Sequence, residues 1–569
     1  MGIEKRTKLG FREWLRRGEP MIWINASAVT ISSIAVVGLL ILLMVKGFGH
    51  FWPGAIAEFK YNVPEKQTIT IIGEQVESET VTRERLESAG YSLAGDEKDL
   101  FTRQLIKMGN KDITGADFGW MLKDYYGEVS YPEELIAVER REWGNYYGYL
   151  LDVTEDGQLI ASTKNDDAKA YQELQQRIDR ALEIHHEIEH IEKVDIGKIN
   201  YGIEKLRLRL RGLDLNENLS AEKRAAEEAD IAEIRDGLDA EYAALQQQLV
   251  GLYGKINRDA FTARSQDGTI LTIPLSKVVK VYRPNAMGLT DKISFYVHKF
   301  WEFLSEDPRE ANTEGGIFPA IFGTVIMVLI MSVIVTPFGV VAAVYLREYA
   351  KQGIVTRMVR IAVNNLAGVP SIVYGVFGLG FFIYFVGSEI DQVFFPEALP
   401  APTFGTPGLL WASLTLALLT LPVVIVSTEE GLSRVPRSLR EGSLALGATK
   451  AETLWRIVLP MSSPAMMTGL ILAVARAAGE VAPLMLVGVV KLAPSLPVDG
   501  NFPYFHLDQK FMHLGFHIYD VGFQSPNVEA ARPLVFATAL LLVAIIALLN
   551  LSAVALRNNL REKYKSLEM

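Results

Sequence analysis

Six long apolar stretches constrain this chain more than any other feature of its sequence. They cover approximately residues 22–45, 317–346, 361–386, 408–427, 463–490 and 533–556. Each is long enough to cross a bilayer, which takes about 20 residues of helix. Each must be helical, because lipid offers no partner for unpaired backbone N–H and C=O groups. We therefore predict a mainly α, polytopic membrane protein with six transmembrane helices.

Lysine and arginine are concentrated in every second connection between these stretches. The positive-inside rule places such segments in the cytoplasm. They are the N-terminal arm, the connections near 347–360 and 428–462, and the tail at 557–569. The opposite loop near 387–407 contains no lysine or arginine. Both termini are therefore predicted to be cytoplasmic.

The first apolar stretch could also be a cleaved signal peptide. It is about 24 residues long, whereas the apolar core of a signal peptide has about 7–15 residues. No small-x-small cleavage pattern follows Val45. We predict a retained anchor, so that residues 1–46 form a basic arm and the first transmembrane helix, and residues 317–556 form a five-helix membrane core.

Residues 47–316 separate the first two membrane helices and are too polar for the bilayer. This region has 49 Asp and Glu against 33 Lys and Arg, a net charge of −16. The predicted orientation places it outside the cytoplasm. The whole chain has no cysteine, so the core of this region must hold together without disulfides.

The same region shows two kinds of local pattern, one typical of β-hairpins and one typical of helices. Asp156-Gly157 and Asp267-Gly268 each separate β-branched runs, which predicts two β-hairpins. Between them, residues 168–253 repeat apolar side chains at intervals of three and four, with a break containing Gly212 and Asn216. This pattern predicts two helices in an antiparallel hairpin, within a large mixed α/β periplasmic domain. The hairpin is either a docking arm for a soluble partner or a self-packed spacer.

Metal and cofactor binding have little support in the sequence. His186 and His190 lie four residues apart, but we identify no third ligand. Solvated histidines on a Glu-rich helix explain them as well. We expect no metal, no cofactor and no nucleic-acid partner.

A polar segment between the fourth and fifth apolar stretches has a regular pattern. Gly447 interrupts a helical pattern where a left-handed turn is easiest for glycine. The pattern resumes from Lys450 to Val458, and Pro460 and Pro464 follow where a new helix could begin. The segment therefore predicts a helix, a tight turn, a second helix and then the membrane. The alternative is an ordinary basic connector.

The spacing in this segment resembles the "EAA" loop of permease subunits in ATP-driven importers. The matching positions are Glu441, Gly447, Ile457, Leu459 and Pro460. Small residues, Gly442 and Ser443, stand where the family name has alanines. The resemblance implies that these residues couple the chain to an ATPase subunit in the cytoplasm.

An ionisable pair lies within the fifth apolar stretch. Arg476 is roughly 20 Å from the start of that stretch, at about 1.5 Å per residue, and Glu480 follows at i+4. Charges at such depth are costly and by default indicate a functional site. Either the two form a static ion pair that fixes helix packing, or Arg476 offers donors to a passing oxyanion while Glu480 holds or releases it.

Three longer segments resemble the PstA-type permease family of phosphate-specific ABC importers. They are GVPSIVYG in the third stretch, ARAAGEVAPL in the fifth, and HLGFHIYDVGFQSPNVEAARPLVFATALLL before and within the sixth. Ala475, Ala478 and the residues 482–484 favour this type over the related PstC type. The resemblance covers about 317–560 and the first helix, so 47–316 is a large insertion.

This resemblance implies a type I ABC importer permease fold in the bacterial inner membrane. It implies three partners: a PstC-type second permease in a heterodimer, a pair of PstB-type ATPase subunits, and a periplasmic PstS-type phosphate-binding protein. No G-x-x-x-x-G-K-[ST] loop occurs in the sequence, which agrees with ATP hydrolysis on another chain. The chain is thus expected to be a transport subunit and not an enzyme by itself. The candidate pathway residues besides Arg476 and Glu480 are Asn364, Asn365, Ser371 and Tyr374.

Two other functions stay open on the residues alone. The first is a permease of the same architecture for another oxyanion, sulfate or molybdate. The second is a membrane-anchored sensor, in which 47–316 detects a periplasmic signal and no solute moves.

Overall fold

The structure, a computed structural model, describes residues 19–63, 67–90, 98–216, 218–309, 312–525 and 528–564. The predicted basic arm before residue 19 and the tail from 565 onward lie outside these residues. Within the described ranges, six helices are long and apolar enough to cross a membrane. They are Met21–Gly49, Phe318–Tyr349, Ser371–Phe394, Leu409–Arg434, Lys450–Gly479 and Ala531–Lys563.

The α-helices are numbered in chain order. They are α1 Glu19–Gly49, α2 Arg83–Ser88, α3 Lys111–Thr114, α4 Asp167–His190, α5 Ile196–Leu215, α6 Ala221–Ile256, α7 Leu289–Ser305, α8 Phe318–Val344, α9 Ile354–Leu366, α10 Ser371–Phe377, α11 Ser388–Phe394, α12 Leu409–Arg434, α13 Arg437–Ala445, α14 Lys450–Thr453, α15 Leu459–Gly479, α16 Leu484–Val487, α17 Leu514–Tyr519 and α18 Val528–Tyr564. Wider π-helical turns extend or join several of them, at Ile191–Asp195, Tyr345–Tyr349, Gly378–Gly387, Leu454–Val458 and Asp520–Gln524.

The strands are numbered in the same way. They are β1 Ile56–Tyr61, β2 Ile69–Thr82, β3 Leu100–Lys107, β4 Phe118–Leu122, β5 Tyr126–Ser130, β6 Leu135–Arg140, β7 Tyr146–Glu155, β8 Gln158–Ser162, β9 Asp259–Arg264, β10 Ile270–Pro274, β11 Val278–Tyr282, β12 Pro308–Arg309 and β13 Glu314–Gly315.

Helix α12 is the centre of the membrane region and packs against both α8 and α15. Small residues bring these helices close together. A Cβ atom at Gly469 would lie 2.7 Å from the Ser427 Cβ, and one at Gly339 would lie 2.5 Å from a Val424 methyl group. Glycine therefore permits the close packing that van der Waals attraction between membrane helices requires.

Two of the predicted membrane helices have wrong boundaries. The stretch 361–386 is not one helix, because α9 ends at Leu366 and a new helix begins at Ser371. Pro370 between them has ψ 136°; it has no N–H to donate, and its ring disfavours a helical residue before it. The predicted end of the helix in the stretch 463–490 is also wrong, because α15 ends at Gly479 and the chain is extended at Glu480.

The intervening domain, residues 50–316, contains two large antiparallel sheets in the described part of the chain, besides the two-stranded antiparallel pair β12–β13. One has the strand order β4-β3-β2-β1-β5, and the other has β10-β9-β7-β6-β11 with β8 also paired to β7. Both Asp-Gly hairpins are confirmed, as β7–β8 and β9–β10. The second sheet packs its buried Tyr146 and Phe261 against Leu174 and Ile178 of α4.

The helical hairpin is built from two long arms. The first arm runs through α4, a π turn and α5 to Leu215, and the second is α6. The predicted break begins later than expected, because Gly212 lies inside α5. The Ser220 hydroxyl caps α6 by accepting a hydrogen bond from the Lys223 N–H. The Tyr201 hydroxyl of α5 donates to the Phe502 carbonyl of the membrane region, so the hairpin contacts the connections between the membrane helices.

A buried carboxylate links the second sheet to α7. Glu139 of β6 pairs with Lys299 of α7, and Lys280 of β11 lies nearby. Burial alone would raise the pKa of Glu139, but the positive charges of Lys299, Lys280 and Arg309 outweigh it and lower this pKa to about 2. The ion pair therefore stabilises the folded domain when Glu139 is charged.

Replacing Glu139 by glutamine is expected to destabilise the domain in a pH-dependent way. The stability gained from the lowered pKa is present above the ordinary carboxyl value of 4.5 and is lost as the pH falls towards 2. Thermal unfolding of the purified chain should show a large deficit for the variant near pH 7 that shrinks below pH 4.5. The exposed Glu133→Gln is the control. A deficit that is independent of pH would contradict the charge-based explanation.

Candidate functional site

The segment between α12 and the fifth membrane helix forms a helix–turn–helix from α13 and α14. Gly447 has φ +90°, in the left-handed region that favours glycine. Its N–H donates to the Leu444 carbonyl, and the next N–H, of Ala448, donates to the Ser443 carbonyl. This pair of hydrogen bonds closes the C-terminus of α13 as a Schellman motif. The predicted left-handed turn at Gly447 is confirmed.

The second helix begins directly after this turn. The Thr449 N–H donates to the Glu452 carboxylate (2.8 Å), and the Glu452 N–H donates to the Thr449 hydroxyl (3.2 Å). This reciprocal capping box satisfies two N–H groups that the first helical turn leaves free.

No new helix begins at Pro460 or Pro464, contrary to the sequence prediction. The helix runs continuously from Lys450 to Gly479. A π turn precedes Pro460, in which the Leu459 N–H bonds the Leu454 carbonyl five residues earlier. The wider turn shifts the hydrogen bonding at the point where proline has no N–H to donate.

The tip of the helix–turn–helix exposes apolar side chains. Leu446 is 91% exposed, and Leu444 and Trp455 are also exposed. An open groove of about 900 Å³ lies between the two helices, with Gly447 and Ile457 in its lining. Exposed apolar patches rimmed by polar residues are typical of protein–protein interaction sites.

The other residues predicted to couple the chain to an ATPase lie on either side of this tip. Glu441 is exposed on α13, and Leu459 and Pro460 are half-buried where the helix joins the membrane region.

The helix–turn–helix is attached to the second and fourth membrane helices by one ion pair, by hydrogen bonds to backbone carbonyls and by a cation–π contact. Arg440 donates through Nη1 to Glu348 Oε1 (2.6 Å) and through Nη2 to the Leu432 carbonyl (2.6 Å). Lys450 donates to the Glu348 carbonyl and stands over the Tyr349 ring. Sequence reasoning missed Glu348, because 92 residues separate it from Arg440 and no local pattern connects them.

The predicted ionisable pair lies at the end of a helix. Arg476 is three residues before the last residue of α15, and Glu480 follows the helix in an extended conformation. Although the two residues lie four positions apart in one apolar stretch, they are not on one continuous helix, because the helix stops at Gly479 between them. Their side chains still meet, with 3.5 Å between Arg476 Nε and Glu480 Oε1, and they keep 32% and 20% exposure.

The other predicted pathway residues fall into two groups. Tyr374 is buried on α10, donates to the Leu366 carbonyl (2.6 Å), and lies within electrostatic range of Arg476. Ser371 is half-buried at the start of the same helix. Asn364 and Asn365 lie on α9, before the break at Pro370, and are exposed. The structure thus brings Tyr374 near the ionisable pair and places the two asparagines on a separate helix.

The histidines of α4 face nearby acidic side chains. His186 Nδ1 lies 3.9 Å from Glu189 Oε2, and His190 Nε2 lies 4.0 Å from Asp195 Oδ2. Among the residues that the structure describes, no group of three or more His, Asp or Glu side chains could hold a metal ion. The candidate site therefore consists of the helix–turn–helix and the Arg476 region.

Comparisons with known proteins cover the membrane region. The family model described as "Binding-protein-dependent transport system inner membrane component" matches residues 335–565. The phosphate transport system permease protein PstA 1 of Mycobacterium tuberculosis (strain CDC 1551 / Oshkosh) is 36% identical over 244 residues, which are 43% of this chain and 71% of that relative. PstA of Mycobacterium leprae (strain TN) is 33% identical over 290 residues, 51% of this chain and 84% of that relative. The phosphate transport system permease protein PstC of Xylella fastidiosa (strain 9a5c) is 33% identical over 219 residues, 37% of this chain and 65% of that relative.

Proposed function

Because this chain belongs to the binding-protein-dependent inner-membrane permeases, as a PstA-type subunit of an ABC importer, we propose that it translocates inorganic phosphate across the bacterial inner membrane. ATP hydrolysis on a partner chain drives this movement. The observation that carries the proposal is the exposed apolar tip at Leu446, attached through the Arg440–Glu348 ion pair to the second membrane helix, in a chain whose PstA relatives are named for phosphate transport.

The helix–turn–helix is the docking site for the ATPase in this proposal. Glu441, Gly447, Ile457, Leu459 and Pro460 form and orient it, and Leu446 enters a complementary groove on a PstB-type subunit. A PstC-type permease completes the membrane pathway, and a PstS-type protein delivers phosphate from the periplasm. All three partners are inferred from the family to which the chain belongs, and no contact among the described residues of this chain identifies them.

The attachment to Glu348 transmits the movement of the ATPase to the membrane helices. Arg440 and Lys450 both contact the segment that ends the second membrane helix. The connection that follows is held in turn by Arg360 of α9, which pairs with Glu429 of α12 at 2.9 Å. A displacement of α13 therefore reaches the second and the fourth membrane helices through charged contacts.

Replacing Glu348 by glutamine is expected to uncouple ATP hydrolysis from transport. A hydrogen bond to a charged group contributes about 1.5–3 kcal/mol, so the fraction of ATP turnovers that move phosphate should fall about tenfold or more. Phosphate uptake per ATP hydrolysed is the measurement, with Glu430→Gln on the exposed side of α12 as the matched control. Unchanged uptake per ATP would contradict a transmitting role for Glu348.

Arg476 is the proposed anion-binding residue of the pathway. Its guanidinium has a planar set of donors that fits phosphate oxygens, and its partial exposure leaves it accessible to a passing ion. Tyr374, which lies within electrostatic range of Arg476, and Ser371 at the start of the same helix are the proposed neighbouring donors, and Glu480 competes with phosphate for the Arg476 donors. Asn364 and Asn365 supply further donors on α9.

The proposed topology places both termini in the cytoplasm and residues 47–316 in the periplasm. In that arrangement the segment 428–462 faces the ATPase, while the hairpin at about 168–253 contacts the outer connections through Tyr201. This contact favours a hairpin fixed to the permease over a free docking arm.

Competition between oxyanions tests the substrate. The assembled complex, reconstituted with its delivery protein in proteoliposomes, should take up radiolabelled phosphate when ATP is present. Excess sulfate and molybdate should leave that uptake unchanged. Competition by either anion would assign the chain to another oxyanion, and an absence of any solute uptake would favour a sensor.

A further inference from the structure

Helix α7 exposes a continuous apolar stripe. Leu289, Ile293, Val297 and Trp301 follow one another at intervals of four residues and are between 50% and 70% exposed. Residues at this spacing lie above one another on one face of a helix. Such a stripe on a helix with a polar flank is the arrangement of helices that lie in a membrane surface.

The opposite face of α7 is fixed to the intervening domain. Phe295 packs against the Tyr282 ring with 4.6 Å between centroids. Lys299 pairs with Glu139, and Glu302 pairs with Lys280 at 2.6 Å. Because these contacts hold one face, the apolar stripe points away from the domain.

The position of α7 relative to the membrane helices indicates what covers the stripe. Phe300 packs against Phe51, just beyond the end of α1, with 5.3 Å between ring centroids. Phe303 belongs to the same buried cluster as Ile317 and Ala320, where α8 begins. The helix therefore lies at the level where α1 leaves the bilayer and α8 enters it.

We propose that α7 is an interfacial membrane anchor, with Leu289, Ile293, Val297 and Trp301 embedded between lipid headgroups and the upper acyl chains. The lipid that surrounds α1, whose apolar side chains are also exposed, continues directly to this stripe. Trp301 belongs to a residue type that is enriched at the membrane interface. Exposed Ser294 and His298 form the flank that faces water. The anchor fixes the intervening domain to the membrane surface and so orients its hairpin over the permease. The inference requires that α1 and α8 cross the membrane, and it does not depend on which solute is transported.

The absence of cysteine from the chain permits a direct test with single cysteines. Val297→Cys probes the stripe, and His298→Cys is the matched control, because both native residues are exposed and adjacent in the chain. The full-length protein is reconstituted with its partners in phospholipid nanodiscs. Each cysteine is then assayed for its alkylation rate with a charged, water-soluble thiol reagent. In separate samples it carries a bimane label, and quenching by nitroxide-labelled lipid is measured.

The anchor predicts an alkylation rate at residue 297 an order of magnitude below that at residue 298, together with strong lipid quenching at 297 alone. Equal alkylation rates without quenching would show that the stripe faces water and would overturn the proposal. Protection at 297 without lipid quenching would also overturn it, because a protein surface would then cover the stripe. ATP-dependent phosphate uptake, measured on both variants in proteoliposomes, reports the proposed function separately.

Discussion

Replacing Leu446 by aspartate is expected to leave the permease folded in the membrane and to abolish its association with the ATPase subunit. Leu446 is 91% exposed in the isolated chain, so the substitution removes no buried contact from the fold. In the complex, burying a leucine side chain contributes about 1.5–3 kcal/mol, and a carboxylate in the same pocket adds a desolvation cost. The association constant should therefore fall by about 100-fold or more.

Co-purification of the ATPase with the membrane-extracted permease is the measurement. Leu446→Met is the matched control, because it keeps an apolar side chain of similar volume and should retain binding. Gly447→Val should show a similar loss of binding for another reason: a β-branched residue at φ +90° is strained, so the turn that presents Leu446 would be distorted. Normal ATPase recovery with Leu446→Asp would exclude this tip from the docking surface.

Replacing Arg476 by alanine is expected to abolish phosphate uptake while assembly and ATP hydrolysis continue. The variant removes the guanidinium donors that the proposal assigns to the passing anion, and it leaves Glu480 as an uncompensated negative charge in their place. Both effects disfavour phosphate, so uptake should fall by about 100-fold or more, equivalent to roughly 2.7 kcal/mol. Radiolabelled uptake by the assembled complex is the measurement.

The double variant Arg476→Ala/Glu480→Ala separates the two explanations of this pair. If the pair only fixes helix packing, removing both charges eliminates the unpaired carboxylate and should restore much of the uptake. If Arg476 binds the anion, the double variant stays inactive, and Arg476→Lys recovers only part of the activity because its ammonium lacks the planar fork. Restored uptake in the double variant would contradict a pathway role.

Local signals in the sequence predicted much of this structure. Hydropathy gave six membrane helices because a bilayer imposes one length and one secondary structure. The turn at Gly447 was predictable, since glycine is the residue that adopts φ +90° without strain. The Asp-Gly hairpins at Gly157 and Gly268 were predictable for the same reason.

Two helix boundaries and the contacts between distant residues were not predicted. The break at Pro370 lies inside an apolar stretch, where hydropathy alone cannot separate one helix from two. The end of α15 at Gly479 also lies inside an apolar stretch, so hydropathy does not indicate it. This helix end changes the surroundings of Arg476. The pair between Glu348 and Arg440 joins residues 92 positions apart, and the contact between Tyr201 and Phe502 joins residues 301 positions apart. Such pairs follow from tertiary packing and leave no periodic pattern in the sequence.

The central claim is that an ATPase on another chain moves phosphate through this permease by acting on the helix–turn–helix. Phosphate flux is therefore measured in proteoliposomes that contain the assembled complex, with ATP supplied only on the side of residues 437–458. We expect flux that requires ATP and disappears with Leu446→Asp. Flux through the chain alone that is unchanged by nucleotide, or ATP-driven flux that persists in the Leu446→Asp variant, would contradict the mechanism.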